Sequence, residues 1–334
     1  MKPLVIPVFI PGLGCPHQCI FCDQGAISGA PRRLPSAEEI QQVVSVYLAS
    51  AKPDRRPRQL AFYGGTFTLL PVPAQERLLA VGRAYMDRGQ IDSMRLSTRP
   101  DAVSPAVLSR LEGVRTVELG AQSFDDAVLA TARRGHGAEA VRSAARLINQ
   151  AGLELGLQLM CGLPGEDKEG FLASCRAAAE LEPKLVRLYP TLVLTGTALA
   201  KLWRQDRYHP LALDEAVDWC RAAAEIFQPR GIRLARVGLP CSPGLEEAVL
   251  AGPYHPALGQ LVRSALWRRR LAAQLAPHGP AAALAVEVAP EDLSDALGHD
   301  RDNLKVLAAT LSLRALSISA SRRVARGSAV IRST

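Results

Sequence analysis

Cys15, Cys19 and Cys22 fall within eight positions, preceded by Gly12-Leu13-Gly14 and with Phe21 directly ahead of the third. Thiols this close in sequence cannot all pair with one another, and the short disulfide loops available would be strained. A shared metal centre accounts for them better. Three thiolates suit a zinc ion that takes a fourth ligand elsewhere, or an iron–sulfur cluster held by cysteine. Coincidental grouping is the remaining reading. His17 lies inside the loop as a candidate fourth ligand, but beside Pro16 it reads better as a residue that shapes the turn.

Bulk properties narrow the setting. The chain has 334 residues, 48% hydrophobic and 22% charged, ordinary values for a globular protein with one large domain or a large and a small one. No apolar run approaches the ~20 residues a membrane span requires, and Pro7 interrupts the short N-terminal one, so neither an anchor nor a signal peptide is expected. The remaining cysteines, Cys161, Cys175, Cys220 and Cys241, are scattered, and seven is an odd number. That argues against a disulfide framework and for a reducing cytoplasm. Forty basic residues against 32 acidic ones give +8, which suits a polyanionic partner such as RNA and equally an arginine-rich solvated surface.

Elements that would position the cysteines can be read from periodicity. Strand-like and helix-like stretches alternate: strands over 4–10, 58–63, 93–98, 114–120, 153–160, 185–189 and 231–237. Helices are expected over 74–88, 104–111, 125–132, 138–151, 168–181, 197–204 and 214–227. Ser36-Ala37-Glu38-Glu39 has the form of a capping box, followed by Ile40, Val43, Val44 and Tyr47 at helical spacing. Repeated βα units imply parallel strands with right-handed crossovers, and six or seven of them fit a curved, barrel-like sheet. Composition shifts after Pro253: Trp267 leads into Arg268, Arg269 and Arg270, and His278-Gly279-Pro280 reads as a linker. Residues 1–258 are expected to form the barrel and 259–334 a small α+β appendage, with strands over 281–288 and 316–319 and helices over 291–297 and 302–310.

In a parallel β/α barrel the chemistry sits at the carboxyl ends of the strands, and the polar residues obey that rule. The second strand ends in Tyr63-Gly64-Gly65-Thr66, the third in Ser97-Thr98-Arg99, and the fourth carries Glu118 and ends in Gln122-Ser123. The fifth runs from Gln158 to Cys161 and Gly162-Leu163-Pro164-Gly165, and the sixth carries Arg187 and ends in Tyr189-Pro190-Thr191. Paired glycines at 64 and 65 permit a sharp turn and close approach of amide groups to a ligand. Glu118 alternates with Val117 and Leu119, which directs it inward, where a carboxylate needs a partner. Arg99, Arg134 and Arg187 are the candidates. The loop at 162–165 lacks the lysine and hydroxyl residue of a P-loop, which excludes nucleoside triphosphate binding of that kind.

The C-x3-C-x2-C spacing, with an aromatic residue before the last cysteine, resembles the signature of the radical S-adenosylmethionine (SAM) superfamily. The resemblance implies a partial (β/α)6 TIM-like barrel and a [4Fe–4S] cluster on Cys15, Cys19 and Cys22, with SAM chelating the iron that lacks a protein ligand. It further implies reductive cleavage of SAM to a 5′-deoxyadenosyl radical, and an electron donor such as flavodoxin or ferredoxin. By the same resemblance Gly64, Gly65 and Thr66 contact the amino-acid part of SAM, with Thr66 standing where an acid is usual. Ser97, Thr98, Glu118 and Gln122 are further candidate cofactor contacts, and Phe21 shields the cluster.

Gly64-Gly65-Thr66-Phe67-Thr68, Thr98-Arg99-Pro100-Asp101, Glu118-Leu119-Gly120-Ala121-Gln122-Ser123 and Arg134-Gly135-His136 narrow the match. Together with Gly162-Leu163-Pro164-Gly165, Leu188-Tyr189-Pro190-Thr191 and Gly252-Pro253-Tyr254-His255-Pro256, they resemble the radical-SAM half of the elongator catalytic subunit. That likeness implies transfer RNA or another RNA as partner, with Arg268, Arg269, Arg270, Arg322 and Arg323 as candidate phosphate contacts. Neither a basic N-terminal extension nor a glycine-rich loop for coenzyme A after Pro256 is read, so a stand-alone bacterial type is expected. Two other readings stay open: a radical-SAM enzyme on a small porphyrin-like substrate, and a zinc-containing RNA-binding protein without enzymatic activity.

Overall fold

A parallel sheet covered on both faces needs strands that are apolar throughout, and the central strands of this chain meet that demand. The computed structural model describes residues 3–52, 55–240 and 242–333; Cys241 lies outside them, and the other six cysteines carry free thiols. Strands β1 (Leu4–Phe9), β2 (Arg58–Tyr63), β3 (Ser93–Thr98), β4 (Val114–Gln122), β5 (Glu154–Cys161) and β6 (Leu185–Pro190) pair in sequence order, all parallel. A short strand β7 (Val193–Leu194) stands apart, and β8 (Arg233–Val237) adds to β6 as the seventh strand. The sheet curls into a half-barrel whose edges, β1 and β8, do not pair with each other. This is the partial barrel expected, extended by one strand.

Local signals set the crossovers. Ser36 accepts from the Glu39 amide while Glu39 Oε2 accepts from the Ser36 amide, so the capping box opens the helix Ala37–Ser50. The helix Ala138–Gln150 buries Val141, Ala144, Ala145 and Ile148, an i, i+3, i+4, i+7 stripe turned to the sheet. Two features escaped periodicity. β7 pairs antiparallel with β9 (Val249–Ala251), too short a ladder to announce itself. The basic run at 267–270 belongs to an 18-residue helix, Leu258–Leu275, whose buried Trp267, Leu271 and Leu275 recur every fourth residue.

The chain divides into two compact units, one formed by Met1–Ala216 and Ala223–Pro256, the other by Val217–Ala222 and Ala257–Thr334. In the second, β10 (Ala283–Val288) is flanked by β11 (Ala315–Ala320), parallel, and β12 (Ala329–Ser333), antiparallel. Leu284, Val286 and Val288 pack with Trp267, Leu271, Leu275 and Leu307. Arg270 lies over the Trp267 ring, 5.0 Å from its centroid, and donates to Gly327 O at 2.6 Å, so it is tied into the packing, while Arg268, Arg322 and Arg323 are exposed. No helix of the described residues is long and apolar enough to cross a membrane.

Leu157, fully buried at the centre of β5, is expected to report on this core. Leu157→Ala should lower the unfolding free energy by about 2–5 kcal/mol, read from the urea midpoint at unchanged slope.

Candidate active site at the rim of the half-barrel

The loop after β1 and the turn after β2 are joined through their main chains. Gly12 N donates to Gly64 O at 2.7 Å, Thr66 N to Leu13 O at 2.9 Å, and Ile10 N to Tyr63 O at 2.8 Å. A Cβ at Gly65 would stand 2.4 Å from Leu13 O, and one at Gly14 would stand 2.3 Å from Thr66 O, closer than a side chain tolerates. Glycine is therefore required here by loop-to-loop contact. The cysteine loop and the paired glycines consequently share one end of the sheet, the carboxyl end where parallel barrels place their chemistry.

Each thiol has its own protein partner. Cys15 Sγ lies 3.2 Å from Thr66 Oγ1, the Gln24 amide donates to Cys22 Sγ at 3.6 Å, and Arg134 Nη1 donates to Cys19 Sγ at 3.0 Å. Burial, seconded by the Cys19 thiol, pushes Cys22 up to about 12; such a thiol releases its proton on coordinating a cation. No three His, Cys, Asp or Glu side chains among the described residues converge on a single ion. Three cysteine thiols in one loop are a donor set that iron–sulfur clusters take. The donor set, three thiols with amide, hydroxyl and guanidinium partners, fits a cluster with one corner left to another ligand.

Arg134 is itself held. Its Nη2 donates to Gly120 O at 2.5 Å and lies 3.2 Å from His136 Nε2, while Arg99 grips Asp101 bidentately at 2.8 and 2.9 Å and donates to Arg134 O at 2.5 Å. Burial and the Arg134 charge bring His136 down to about 4, so the ring is neutral at physiological pH. His17 packs across Gly135, its ring 2.5 Å from where a side chain there would begin, consistent with a role in loop shape.

Below the rim, Glu118 is fully buried. Arg95 Nη1 reaches its Oε1 at 2.8 Å, Arg187 Nε its Oε2 at 2.7 Å, Tyr63 OH its Oε1 at 2.9 Å and Gln158 Nε2 its Oε2 at 3.2 Å. Of the three arginines expected beside it, only Arg187 is there; Arg99 and Arg134 serve the rim, and Arg95 takes the second place. Ser93, Arg95 and Ser97 alternate with Met94 and Leu96 along β3, and that alternation was the sign that Arg95 faces inward. Burial opposes ionisation of Glu118, but Arg187 and Arg95 outweigh it and hold the carboxyl down to about 2. Burial and the Glu118 charge raise the Tyr63 hydroxyl, keeping it a donor.

The other candidates divide by their partners. Ser97 Oγ accepts from Gln158 at 3.3 Å. Thr98 is joined at 2.5 Å to Thr68, whose hydroxyl donates to Ala102 O at 2.7 Å, so Thr98 anchors a loop. Gln122 has φ of +72° at a bulge in β4, a strained conformation of the kind that clusters at functional sites, and its amide lies against Gly120 near Arg134. Phe21 packs against two apolar clusters, one that includes Val193 and Leu199 and one that includes Met160 and Leu163. Gly162 and Leu163 donate to Glu166 Oε2 at 3.0 and 3.3 Å, which makes the 162–165 loop a held turn; burial raises Glu166 to about 8.

A profile described as the radical SAM superfamily matches residues 9–178, and one described as the radical SAM C-terminal domain matches residues 183–268. A protein named tRNA uridine(34) acetyltransferase from Methanocaldococcus infernus is 26% identical over 274 residues, 70% of this chain and 51% of the relative. Protein YhcC of Escherichia coli K12 is 27% identical over 235 residues, 65% of this chain and 72% of the relative. The solved structure of M. infernus Elp3 with its N-terminus (1–46) deleted aligns with a TM-score of 0.62 at 23% identity, over 81% of this chain and 64% of that one. At that identity the likeness is one of fold. The chain thus spans about half the length of the first of these relatives.

Glu118→Gln is expected to cost about 3–5 kcal/mol, because it leaves two buried arginines short of their counter-charge. The pH dependence has a definite sign. Because the folded carboxyl sits near 2 and its ordinary value is 4.5, its stabilisation is complete above about pH 4.5 and is lost as pH falls toward 2. Urea midpoints across that window should show the slope in the parent chain and a flatter one in the variant.

Proposed function

The chain belongs to the radical SAM superfamily, whose enzymes use a [4Fe–4S] cluster and SAM, and from that membership we propose an RNA-base-modifying enzyme, with transfer RNA the favoured substrate. Cys15, Cys19 and Cys22 hold the cluster. The observation that carries this reading is the main-chain union of the cysteine loop with Gly64, Gly65 and Thr66 at the carboxyl rim. The bound cofactors would supply one-electron cleavage of the sulfonium and a carbon radical that removes a hydrogen atom from substrate; the protein supplies orientation and exclusion of water.

The chain's own residues have separable tasks. Arg134 and Gln24 donate to the sulfurs of Cys19 and Cys22 and orient them. The turn at Gly64, Gly65 and Thr66 receives the amino-acid part of SAM, with Ser97 and Gln122 on the strands beside it. Glu118 acts at one remove, fixing Tyr63 and Arg187, and Thr98 fixes the loop at 67–69. Phe21, wedged between two apolar clusters, keeps water from the cluster.

RNA as substrate is supported by the +8 charge, by the name of the M. infernus relative, and by exposed Arg268, Arg322 and Arg323. Only the RNA in that name is carried over to this chain, and not the acetyl transfer. Scattered free thiols and an oxygen-sensitive cluster suit the cytoplasm, with flavodoxin or ferredoxin as the electron donor.

Anaerobic reconstitution with iron and sulfide, then dithionite and SAM, is expected to yield a brown protein that forms 5′-deoxyadenosine, faster with transfer RNA present. Cys15→Ala, Cys19→Ala and Cys22→Ala should each lose the cluster and the product. A colourless protein carrying one zinc and no sulfide would overturn the assignment, while equal rates with and without RNA would overturn the substrate alone.

A further inference from the structure

Strand β8 brings two arginines to the concave side of the sheet. Arg236 stands in register with Arg187 and Arg233 with Leu185, and the register shift between them lets both share the face that Arg187 presents. Among the described residues neither guanidinium has a hydrogen bond or an ion pair. The carboxylates within reach are committed elsewhere. Glu118 is taken by Arg95 and Arg187, and Glu154 by Arg115 at 2.9 Å and the Thr116 hydroxyl at 2.9 Å. Arg95, Arg187, Arg233 and Arg236 therefore outnumber the two carboxylates that act on this face, Glu118 and Glu154.

A half-buried cation without a counter-charge is costly to fold around. Burial, together with repulsion from Arg95 and Arg187, lowers the affinity of Arg233 for its proton, and the field of Arg236 extends to Tyr189 at the rim. β8 is an edge strand of the half-barrel and its residues Arg233–Val237 are half-buried throughout, so these side chains are reachable from solvent. Guanidinium groups match the geometry of phosphate and carboxylate oxygens through paired N–H donors.

We propose that Arg187, Arg233 and Arg236 form a subsite for an oxyanion carried by the substrate, a nucleotide phosphate or a carboxylate, at the open β8 edge. This rests on the reading above only in taking the concave face as the substrate's side. The subsite fixes one end of the substrate so that its reacting carbon faces the rim, and SAM cleavage plays no part in the binding.

The test is calorimetric titration of the full reconstituted chain with uridine 5′-monophosphate, uridine and citrate. Uridine 5′-monophosphate or citrate is expected to bind at least about tenfold tighter than uridine, the usual worth of a charge-assisted contact. The oxyanion preferred identifies the source as phosphate or carboxylate. Arg236→Gln should erase the preference without lowering Tm, since it removes an unpaired charge, and Arg236→Lys should restore only part of it. Arg77→Gln, an equal change of net charge at an exposed site, should bind as the parent does, and Arg233→Gln gives a second reading of the loss. Oxyanions no tighter than uridine, an Arg236→Gln chain that binds like the parent, or one whose Tm falls would each overturn the proposal. Failure here with 5′-deoxyadenosine formation intact removes the subsite alone; binding in a chain that never cleaves SAM removes only the enzymatic reading.

Discussion

A carboxylate with no access to water must be met by cations and donors, and Glu118 is met from four other strands. Tyr63 comes from β2, Arg95 from β3, Gln158 from β5 and Arg187 from β6, all on one side chain of β4. A buried ion pair of this kind adds little net stability over a well-packed apolar core. Its contribution is to orientation: one register of the five strands satisfies it, and a slip would strand charge in the interior. Since Tyr63 immediately precedes the glycine pair, the interior network also sets where the β2 turn begins, and that turn in turn carries the cysteine loop.

The rim follows the same logic with sulfur in place of oxygen. Arg99 orders the Arg134 backbone while its own charge is spent on Asp101, leaving the Arg134 head for Gly120 and Cys19. The two ionic groups are thus separated by function, one below holding strands together and one above facing the thiols. Cys15, the exposed member of the trio, meets only a hydroxyl, and Cys19, the buried one, meets a full charge. Solvation and protein charge are therefore graded in opposite directions across the loop.

Most of the barrel was legible because its strands are short apolar runs bounded by turn residues, and β2 and β3 begin and end where periodicity places them. The cysteine loop and the glycine pair, both marked by their spacing, meet at the carboxyl rim through their main chains. What was not legible depended on long-range register. Arg95 looks unremarkable in sequence and acquires its role only when β3 lies beside β4. Arg134 was expected at Glu118, but the positive-φ turn at Arg133 and Gly135 delivers it to Cys19 instead. In the helix Leu258–Leu275 the consecutive Arg268, Arg269 and Arg270 mask the buried Trp267, Leu271, Leu275 repeat. Ladder β7–β9 is too brief for any pattern to register.

The union of the two rim loops is written in peptide groups, and this changes where the region can drift over generations. Leu13 enters the junction through its own N–H and carbonyl, so a different side chain there would leave those bonds in place. Gly14 and Gly65 are the reverse, because every missense change at a glycine codon adds atoms to a gap that has no room for them. Heritable constraint therefore rests on two residues that have no side chain at all.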